Sequence, residues 1–348
     1  MQALILAGGK GIRLRPLTIH TPKPIVPLAN RPFLHYQIEL LKRAGITDIT
    51  LSLSYQPNKI EEVFGDGSEH GVRIRYTVEA DPLGTAGAFK HSSGHAHTGS
   101  QAATVVLNGD ILTNVNLAEL VAYHHRQAAL ATIVTVPVEN PSLYGMLESD
   151  ETGRVLRYVE KPKPEEAVCK TINAGIYVLE PRVLELIPEE ENYSFELGLF
   201  PKLVAAGERF YTFGWHDYWL DIGAPQRYLQ AHDDLLNGRI KTFQLTREPR
   251  AAAQTAGEAA KIDKLSIVHP TCTLKPGAEI INSVLGANCV IEERARIENS
   301  VLWSSTRVGQ SAVVHRSFVG KGGIIGRNTT IEGAILGDKS SLTDYSII

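Results

Sequence analysis

The clearest pattern of apolar positions lies in the last third of the chain. Leu274, Ile280, Leu285, Ile291, Ile297 and Leu302 follow one another at steps of 6, 5, 6, 6 and 5 residues, and the series runs from Val268 through Val308, Val314, Val319, Ile325, Ile331 and Leu336 to Leu342. Two residues before each stands a small side chain, among them Ser266, Cys272, Ala278, Ser283, Cys289, Ala295, Ser300, Thr306, Ala312 and Ser317. A helix needs a period of 3.6 and a lone strand a period of 2, so steps near six mean short strands joined by corners. Three steps make 17 residues, read here as one triangular coil of a parallel β-helix with branched aliphatics inside and small residues at the corners. Cys272 and Cys289, 17 apart, then stack as packing residues.

The first 235 or so residues alternate between two other patterns. Ala3-Leu4-Ile5-Leu6 is a continuous apolar run suited to a strand buried on both faces. Phe33, Leu34, Gln37, Ile38 and Leu41 form a helical face, with Pro32 in its first turn and Gly45 ending it. Ile49, Leu51 and Leu53 alternate as a strand, and further strands are expected at 104–108, 131–138 and 172–179. Strands separated by helices predict an α/β domain, a mostly parallel, Rossmann-like sheet flanked by helices, with ligands bound beyond the carboxyl ends of its strands. Between the two patterns the chain turns Ala-, Arg- and Glu-rich. The expected division is a catalytic domain at 1–236, a linker at 237–262 and the β-helix at 263–348.

Composition narrows the function. A length of 348 residues predicts roughly two domains at about 150 residues each. With 35 Lys and Arg against 38 Asp and Glu, the net charge of -3 argues against a nucleic-acid partner. Three cysteines without C-x-x-C spacing argue against a disulfide framework or Cys-rich zinc site. The short apolar start neither spans a membrane nor reads as a secretory leader. A cytoplasmic protein with no membrane partner is expected.

The candidate chemistry begins where the first strand ends, at Leu6-Ala7-Gly8-Gly9-Lys10-Gly11-Ile12-Arg13. Three glycines let backbone N–H groups approach an anion, and Arg13 can fork onto phosphate oxygens. The spelling fits neither a dinucleotide fingerprint, which would need Gly at Leu14, nor a Walker loop, which would need Gly-Lys-Ser/Thr. Lys23, set between Pro22 and Pro24, adds a second cation at a fixed distance, as a triphosphate requires.

The stretch Leu6 to Pro27 resembles the signature of the sugar-1-phosphate nucleotidyltransferases (nucleoside-diphosphate-sugar pyrophosphorylases), with Ile12 where that family usually has Thr or Ser. The repeat domain is similarly like hexapeptide-repeat, left-handed β-helix domains, and the handedness comes from that likeness. The resemblance implies attack of a sugar-1-phosphate oxygen on the α-phosphorus of a nucleoside triphosphate, with release of pyrophosphate. Two anions must meet, so cations, a divalent metal and carboxylates to hold it are required. By resemblance Asp110, in Asn108-Gly109-Asp110, and Asp221, in Trp219-Leu220-Asp221-Ile222-Gly223, are the ligands of Mg²⁺.

The same resemblance assigns Tyr144, Gly145, Glu160, Lys161, Asn173, Gly175 and Trp219 to the sugar phosphate. The nucleotide would be held by Leu6 to Gly9, Gly11, Arg13, Lys23, Asn108 and Asp110, with Pro82, Gly84 and Thr85 near the base. Asp81 to Gly87 is similar to the corresponding segment of mannose-1-phosphate guanylyltransferases, and no Gln occurs between Tyr76 and Lys90, where uridylyl- and thymidylyltransferases typically carry one. GTP and mannose-1-phosphate are therefore expected, with UTP or dTTP and glucose-1-phosphate as the alternative. An acyltransferase seated on the β-helix and a non-catalytic regulatory homologue are the competing functions. His91, His95 and His97 are expected in a solvated loop, and His124-His125 at the end of a surface helix. The apolar tail Tyr345, Ile347 and Ile348 predicts a homo-oligomer built through the β-helix.

Overall fold

The computed structural model describes residues 1–95, 102–189, 191–240, 242–243, 245 and 259–348. The expected linker therefore lies largely outside the described residues, as does His97. The chain forms two compact units. The first comprises Met1–Gly9 and Leu34–Trp219, and the second Lys10–Phe33 and Leu220–Ile348.

The first unit is built on a nine-stranded sheet. Its main path runs 155–160, 145–149, 171–179, 104–108, 2–6, 48–53, 73–78; strand 131–137 pairs with 171–179 and with 210–214. Among the described residues there are six α-helices: α1 (Phe33–Arg43), α2 (Pro57–Phe64), α3 (Gly84–His95), α4 (Leu117–Arg126), α5 (Phe200–Ala205) and α6 (Pro225–Leu236), the last in the second unit. Strands 104–108, 2–6, 48–53 and 73–78 are parallel, whereas 171–179 runs antiparallel to 104–108 and 131–137. The sheet is thus mixed, with its parallel half carrying the Rossmann-like character.

Burial follows the pairing. Ala3, Leu4 and Ile5 are buried because strand 2–6 is central. In strand 48–53 the alternation expected from Ile49, Leu51 and Leu53 does not hold, since Thr50 and Ser52 are buried as well; a strand paired on both sides has no solvent face. Pro32 sits in a two-residue strand rather than in the first turn of α1. Gly45 lies beyond α1 with φ 74°, as a helix stop should.

In the second unit three five-stranded parallel sheets wind as a left-handed β-helix. Ile280, Ile297, Val314 and Ile331 pair in register in one sheet, and Leu285, Leu302, Val319 and Leu336 in another. Its first strand, Lys261–Ile262, begins within the stretch expected as linker. The corners have a backbone cause. Asn282, Asn288, Arg294, Asn299, Ser305 and Ser311, each just before a small inward residue, take left-handed φ angles between 42° and 62°. The small residues then tie the coils together. Ser283 N–H donates to Ser266 Oγ at 3.0 Å, Ser300 N–H to Ser283 Oγ at 3.0 Å and Ser317 N–H to Ser300 Oγ at 3.1 Å. Cys272 and Cys289 are free thiols buried in this core. The hydrogen bond between the two side chains, with burial, pushes the Cys289 thiol up, which suits packing rather than reactivity.

Two histidine expectations are corrected. His91 lies in α3, which extends to His95, and not in a loop. His124 is fully buried near the end of α4, with Nδ1 2.8 Å from Thr132 Oγ1 and Nε2 3.2 Å from Glu180 Oε1. Burial holds this imidazole below its ordinary pKa.

Candidate active site

The order of the parallel strands creates a crevice. From strand 2–6 the chain moves one way to 48–53 and 73–78, then returns to place 104–108 on the other side. Ligands bind at such a switch point, beyond the strand ends. Here those ends carry Leu6-Ala7-Gly8-Gly9 and Asn108-Gly109-Asp110. Leu6 pairs with Asn108, and Gly109 N–H donates to Leu6 O at 2.9 Å. A Cβ on Gly109 would meet Leu6 O at 2.7 Å, so only glycine lets the two turns lie this close. Gly8 O accepts from Ser54 Oγ at 2.6 Å, which pins the loop, while a Cβ on Gly9 would meet nothing within 4 Å. Gly9 faces open space, as an approaching ligand requires.

A residue passed over in the sequence holds the carboxylate turn. Gln37, buried on the inner face of α1, donates from Nε2 to Asn108 O at 2.8 Å and to Ile111 O at 2.9 Å. Its amide clamps the carbonyls on either side of Gly109-Asp110, leaving Asp110 half-buried at the turn. Asn108 Oδ1 is buried without a hydrogen-bond partner, a hard-oxygen acceptor beside the turn.

The remaining predicted residues of this unit gather around strands 145–149, 155–160 and 171–179. Tyr144 and Trp219 meet edge to face with ring centroids 5.6 Å apart, and Trp219 Nε1 donates to Ala174 O at 2.8 Å. Lys161 N–H donates to Tyr144 O at 2.9 Å, and its Nζ lies 3.9 Å from Glu160 Oε1. A Cβ on Gly145 would overlap the Tyr158 phenol and come within 2.9 Å of Glu160 Oε2, which explains the glycine. Asn173 donates to Tyr177 Oη at 3.0 Å and accepts from Gly175 N–H at 2.8 Å. Gly175, at φ 72°, would drive a Cβ to 2.8 Å of Asn108 Nδ2.

A second carboxylate belongs here that the sequence reading missed. Glu196 sits in a π-helical turn, Phe195–Leu199, a distortion frequent at functional sites. Glu196 Oε2 accepts from Thr85 Oγ1 at 2.8 Å, and that hydroxyl in turn accepts from Phe195 N–H at 2.8 Å. Thr85 thus uses its side chain within the protein, while Pro82 is exposed and accepts from Asn192 Nδ2 at 3.0 Å. Burial raises the pKa of Glu160, the Tyr158 hydroxyl that donates to it at 3.0 Å lowers it, and the Glu196 charge raises it further. Burial likewise pushes the phenols of Tyr158 and Tyr177 far up, with Glu196 adding to both. The signal in sequence is a lone Glu in the apolar run Phe195-Glu196-Leu197-Gly198-Leu199-Phe200.

Gly11, Arg13, Lys23 and Asp221 fall in the second unit. Gly11 takes φ 61° and would place a Cβ 3.1 Å from Lys23 Cβ and 3.2 Å from Thr18 Cγ2. Lys23 is consequently buried, only 8% exposed, beneath the turn, and Thr18 Oγ1 donates to Gly11 O at 2.7 Å. Arg13 is exposed. Its Nη2 and Asp221 Oδ1 converge beside Gly223, at 2.6 and 2.7 Å from where a Cβ would stand. Gly223 N–H also donates to Asp221 Oδ1 at 2.6 Å.

A glycine loop at the switch point of an α/β sheet, with a clamped carboxylate turn beside it, defines an α/β protein of the class that binds ligands beyond its strand ends, and the chain carries a β-helix as well. Comparison with known proteins makes this specific. The model of the family described as nucleotidyl transferase matches residues 2–238, and that of the EIF2B subunit epsilon LbH domain matches residues 250–348. The chain belongs to the nucleotidyl transferase family. It is 36% identical over 317 residues to a UTP–glucose-1-phosphate uridylyltransferase of Synechocystis sp., covering 86% of this chain and 81% of that one. It is 35% identical over 300 residues to a mannose-1-phosphate guanylyltransferase of Mycobacterium tuberculosis, covering 86% and 78%. Among solved structures, HddC from Yersinia pseudotuberculosis complexed with GMP-PN is 31% identical with a TM-score of 0.56, over 66% of this chain and 97% of that one.

Proposed function

We propose that this protein transfers a nucleotidyl group from a nucleoside triphosphate, GTP first, to a sugar-1-phosphate, mannose-1-phosphate first, with release of pyrophosphate. The observation that carries the reading is the junction of glycine loop and carboxylate turn, Gly109 N–H to Leu6 O at 2.9 Å. In this reading backbone N–H groups of Ala7 to Gly11 cradle the triphosphate, and Arg13 and Lys23 neutralise its charge. Lys161 receives the sugar phosphate, while Glu160, Asn173, Gly175 and the Tyr144-Gly145 pair accept and orient sugar hydroxyls, with Trp219 closing the sugar side. Asn108 and the Pro82 to Thr85 segment flank the nucleotide. In-line attack then needs little beyond positioning and charge neutralisation.

The donor set suits Mg²⁺. Asp110 and Asp221 would supply hard oxygen ligands, and Asn108 Oδ1 is a buried oxygen without a partner. Among the described residues no group of three His, Cys, Asp or Glu side chains is placed to hold a metal ion by itself, so phosphate oxygens and water would have to complete the shell. When bound, Mg²⁺ would supply charge neutralisation at the phosphates.

Guanylyl transfer is favoured by the relatives of that name and by the Asp81 to Gly87 segment without Gln. The uridylyltransferase of comparable identity keeps UTP and glucose-1-phosphate as the second reading. Each nucleoside triphosphate assayed against a panel of sugar-1-phosphates, with and without Mg²⁺, decides between them; no pyrophosphate from any pair would leave a non-catalytic nucleotide-sugar binder, and acyl-CoA consumption with amino sugars would revive the acyltransferase. Exposure of Tyr345, Ile347 and Ile348 at the end of the β-helix supports self-association through that domain. A monomeric mass by light scattering at micromolar concentration would refute it. No described helix is long and apolar enough to cross a membrane.

A further inference from the structure

Between strand 210–214 and Trp219 the chain crosses a loop, 215–218, that forms neither helix nor strand, and one distant side chain holds it. Asn114 stands just after strand 111–113, 101 residues before Trp215. Its Oδ1 accepts from Trp215 Nε1–H at 3.2 Å and from Tyr218 N–H at 3.0 Å, and its Nδ2 donates to Asp217 Oδ2 at 2.8 Å. An indole and a backbone N–H can only donate, so the orientation of the amide is fixed. The backbone beside it adds to the grip. Asn114 N–H and Thr113 Oγ1 both donate to Tyr218 O, at 3.3 and 2.8 Å, and Thr113 Oγ1 accepts from Val115 N–H at 3.2 Å. All of these residues belong to the first unit.

The loop leads straight into Trp219. That indole donates from Nε1 to Ala174 O at 2.8 Å, between Asn173 and Gly175, and its ring meets Tyr144 edge to face. Tyr218, immediately before it, is held at both its N–H and its C=O, so the backbone from which the Trp219 side chain leaves is fixed. Trp219 is therefore anchored twice, at its nitrogen by Ala174 and at its root by the Asn114 turn. Without the Asn114 amide two N–H donors lose their acceptor, one of them on a half-buried indole. Unpaired donors are costly, and an irregular loop regains partners by moving toward water.

We infer that Asn114 is a positioning residue for sugar-phosphate binding, acting through Trp219 and, beyond it, Tyr144 and the Asn173 to Gly175 turn. The inference rests on the reading given above, in which those residues receive the sugar phosphate.

The test uses the full-length protein. Asn114→Leu keeps the size of the side chain and removes its bonds to Trp215, Asp217 and Tyr218. It should raise KM for the sugar-1-phosphate about tenfold or more, with kcat and KM for the nucleoside triphosphate within about threefold of the parent. Asn114→Asp alone keeps the shared acceptor but turns the 2.8 Å bond to Asp217 into a contact between carboxylates, and should raise the same KM about threefold or more. Adding Asp217→Asn to it restores every bond with the roles exchanged, because the carboxylate then accepts from Trp215, Tyr218 and the new amide. That pair should return KM to within about twofold of the parent. A side chain that only stabilises the fold would give neither the split between the two KM values nor the recovery. A second readout needs no substrate: the ¹⁵N indole signal of Trp219, one of three tryptophans and assigned through Trp219→Phe, should move in both single variants and return in the exchanged pair. An unmoved signal, an unmoved sugar-1-phosphate KM, an equal rise in both KM values, or no recovery on exchange would each overturn the inference and leave the proposed reaction standing. A parent that releases no pyrophosphate from any pair of substrates would overturn the reaction and the inference with it.

Discussion

Gly223→Ala adds a single methyl group where the structure leaves no room for one. The new Cβ would meet Arg13 Nη2 at 2.6 Å, Asp221 Oδ1 at 2.7 Å and Arg13 Cζ at 3.0 Å, whereas ordinary contacts begin near 3.4 Å. Both charged groups must therefore retreat by roughly 0.7–0.8 Å, and the 2.6 Å hydrogen bond from Gly223 N–H to Asp221 must distort. Displacing a catalytic group by about 1 Å costs on the order of 10²-fold in rate. Two such groups moving together predict a fall of roughly 10²–10³ in kcat/KM, or about 3–4 kcal/mol of transition-state stabilisation. The fold should not notice. The backbone of Gly223 is not left-handed and the crowding atoms belong to side chains rather than to backbone, so stability should change by less than about 1 kcal/mol. The assay is steady-state pyrophosphate release beside thermal unfolding, with Gly94→Ala as control because a Cβ there meets nothing within 4 Å. Activity within about threefold of the parent would refute the reasoning that Arg13 and Asp221 act from this point.

Four further outcomes follow from the same geometry. Gly9→Ala should leave the melting temperature unchanged, since its Cβ meets nothing within 4 Å, yet raise KM for the nucleoside triphosphate; an unchanged KM would remove the loop from the phosphate site. Gln37→Leu loses two hydrogen bonds that hold the Asp110 turn and should cost about 2–4 kcal/mol in denaturant unfolding, together with turnover; loss of neither would contradict the clamp. Because burial and the Glu196 charge raise the pKa of Glu160, its carboxylate is lost as pH falls through a value above the ordinary glutamate range, so the acid limb of kcat/KM should lie there and move to lower pH in Glu196→Gln. A limb unmoved by that substitution would exclude the pair. Asp110→Asn and Asp221→Asn should each lower turnover at least about 10²-fold with the fold intact, and pyrophosphate release at the parental rate by either variant would contradict the metal assignment.

How much of this was legible depended on whether the signal was local. The β-helix was, because every coil repeats the same demand for a branched aliphatic inside and a small residue two positions earlier, as at Ser283 with Leu285 and Ser300 with Leu302. Its left-handed corners leave a fainter trace, since only some of them carry Asn, as at Asn282, Asn288 and Asn299, the residue type that accepts such angles. The glycine loop could be read because phosphate approach restricts side-chain size directly. Gln37 could not, because an amide on a helical core face looks like a tolerated polar residue until the carbonyls of Asn108 and Ile111 are seen against it. The antiparallel course of 171–179 and the burial of His124 depend on pairings between residues far apart in sequence. The same is true of the grouping of Lys10–Phe33 with the β-helix unit, where Asn30 Nδ2 donates to Leu285 O at 2.8 Å.

The central claim is that this chain brings two phosphorylated reactants together and exchanges pyrophosphate for a sugar phosphate. ³¹P NMR of the purified protein with GTP, mannose-1-phosphate and Mg²⁺ tests it directly. The account predicts equal growth of the pyrophosphate signal and of the coupled diphosphate pair of a nucleotide sugar, with both abolished by EDTA. Spectra that stay unchanged with each triphosphate and sugar-1-phosphate pair, or pyrophosphate that accumulates without any sugar-1-phosphate, would contradict it.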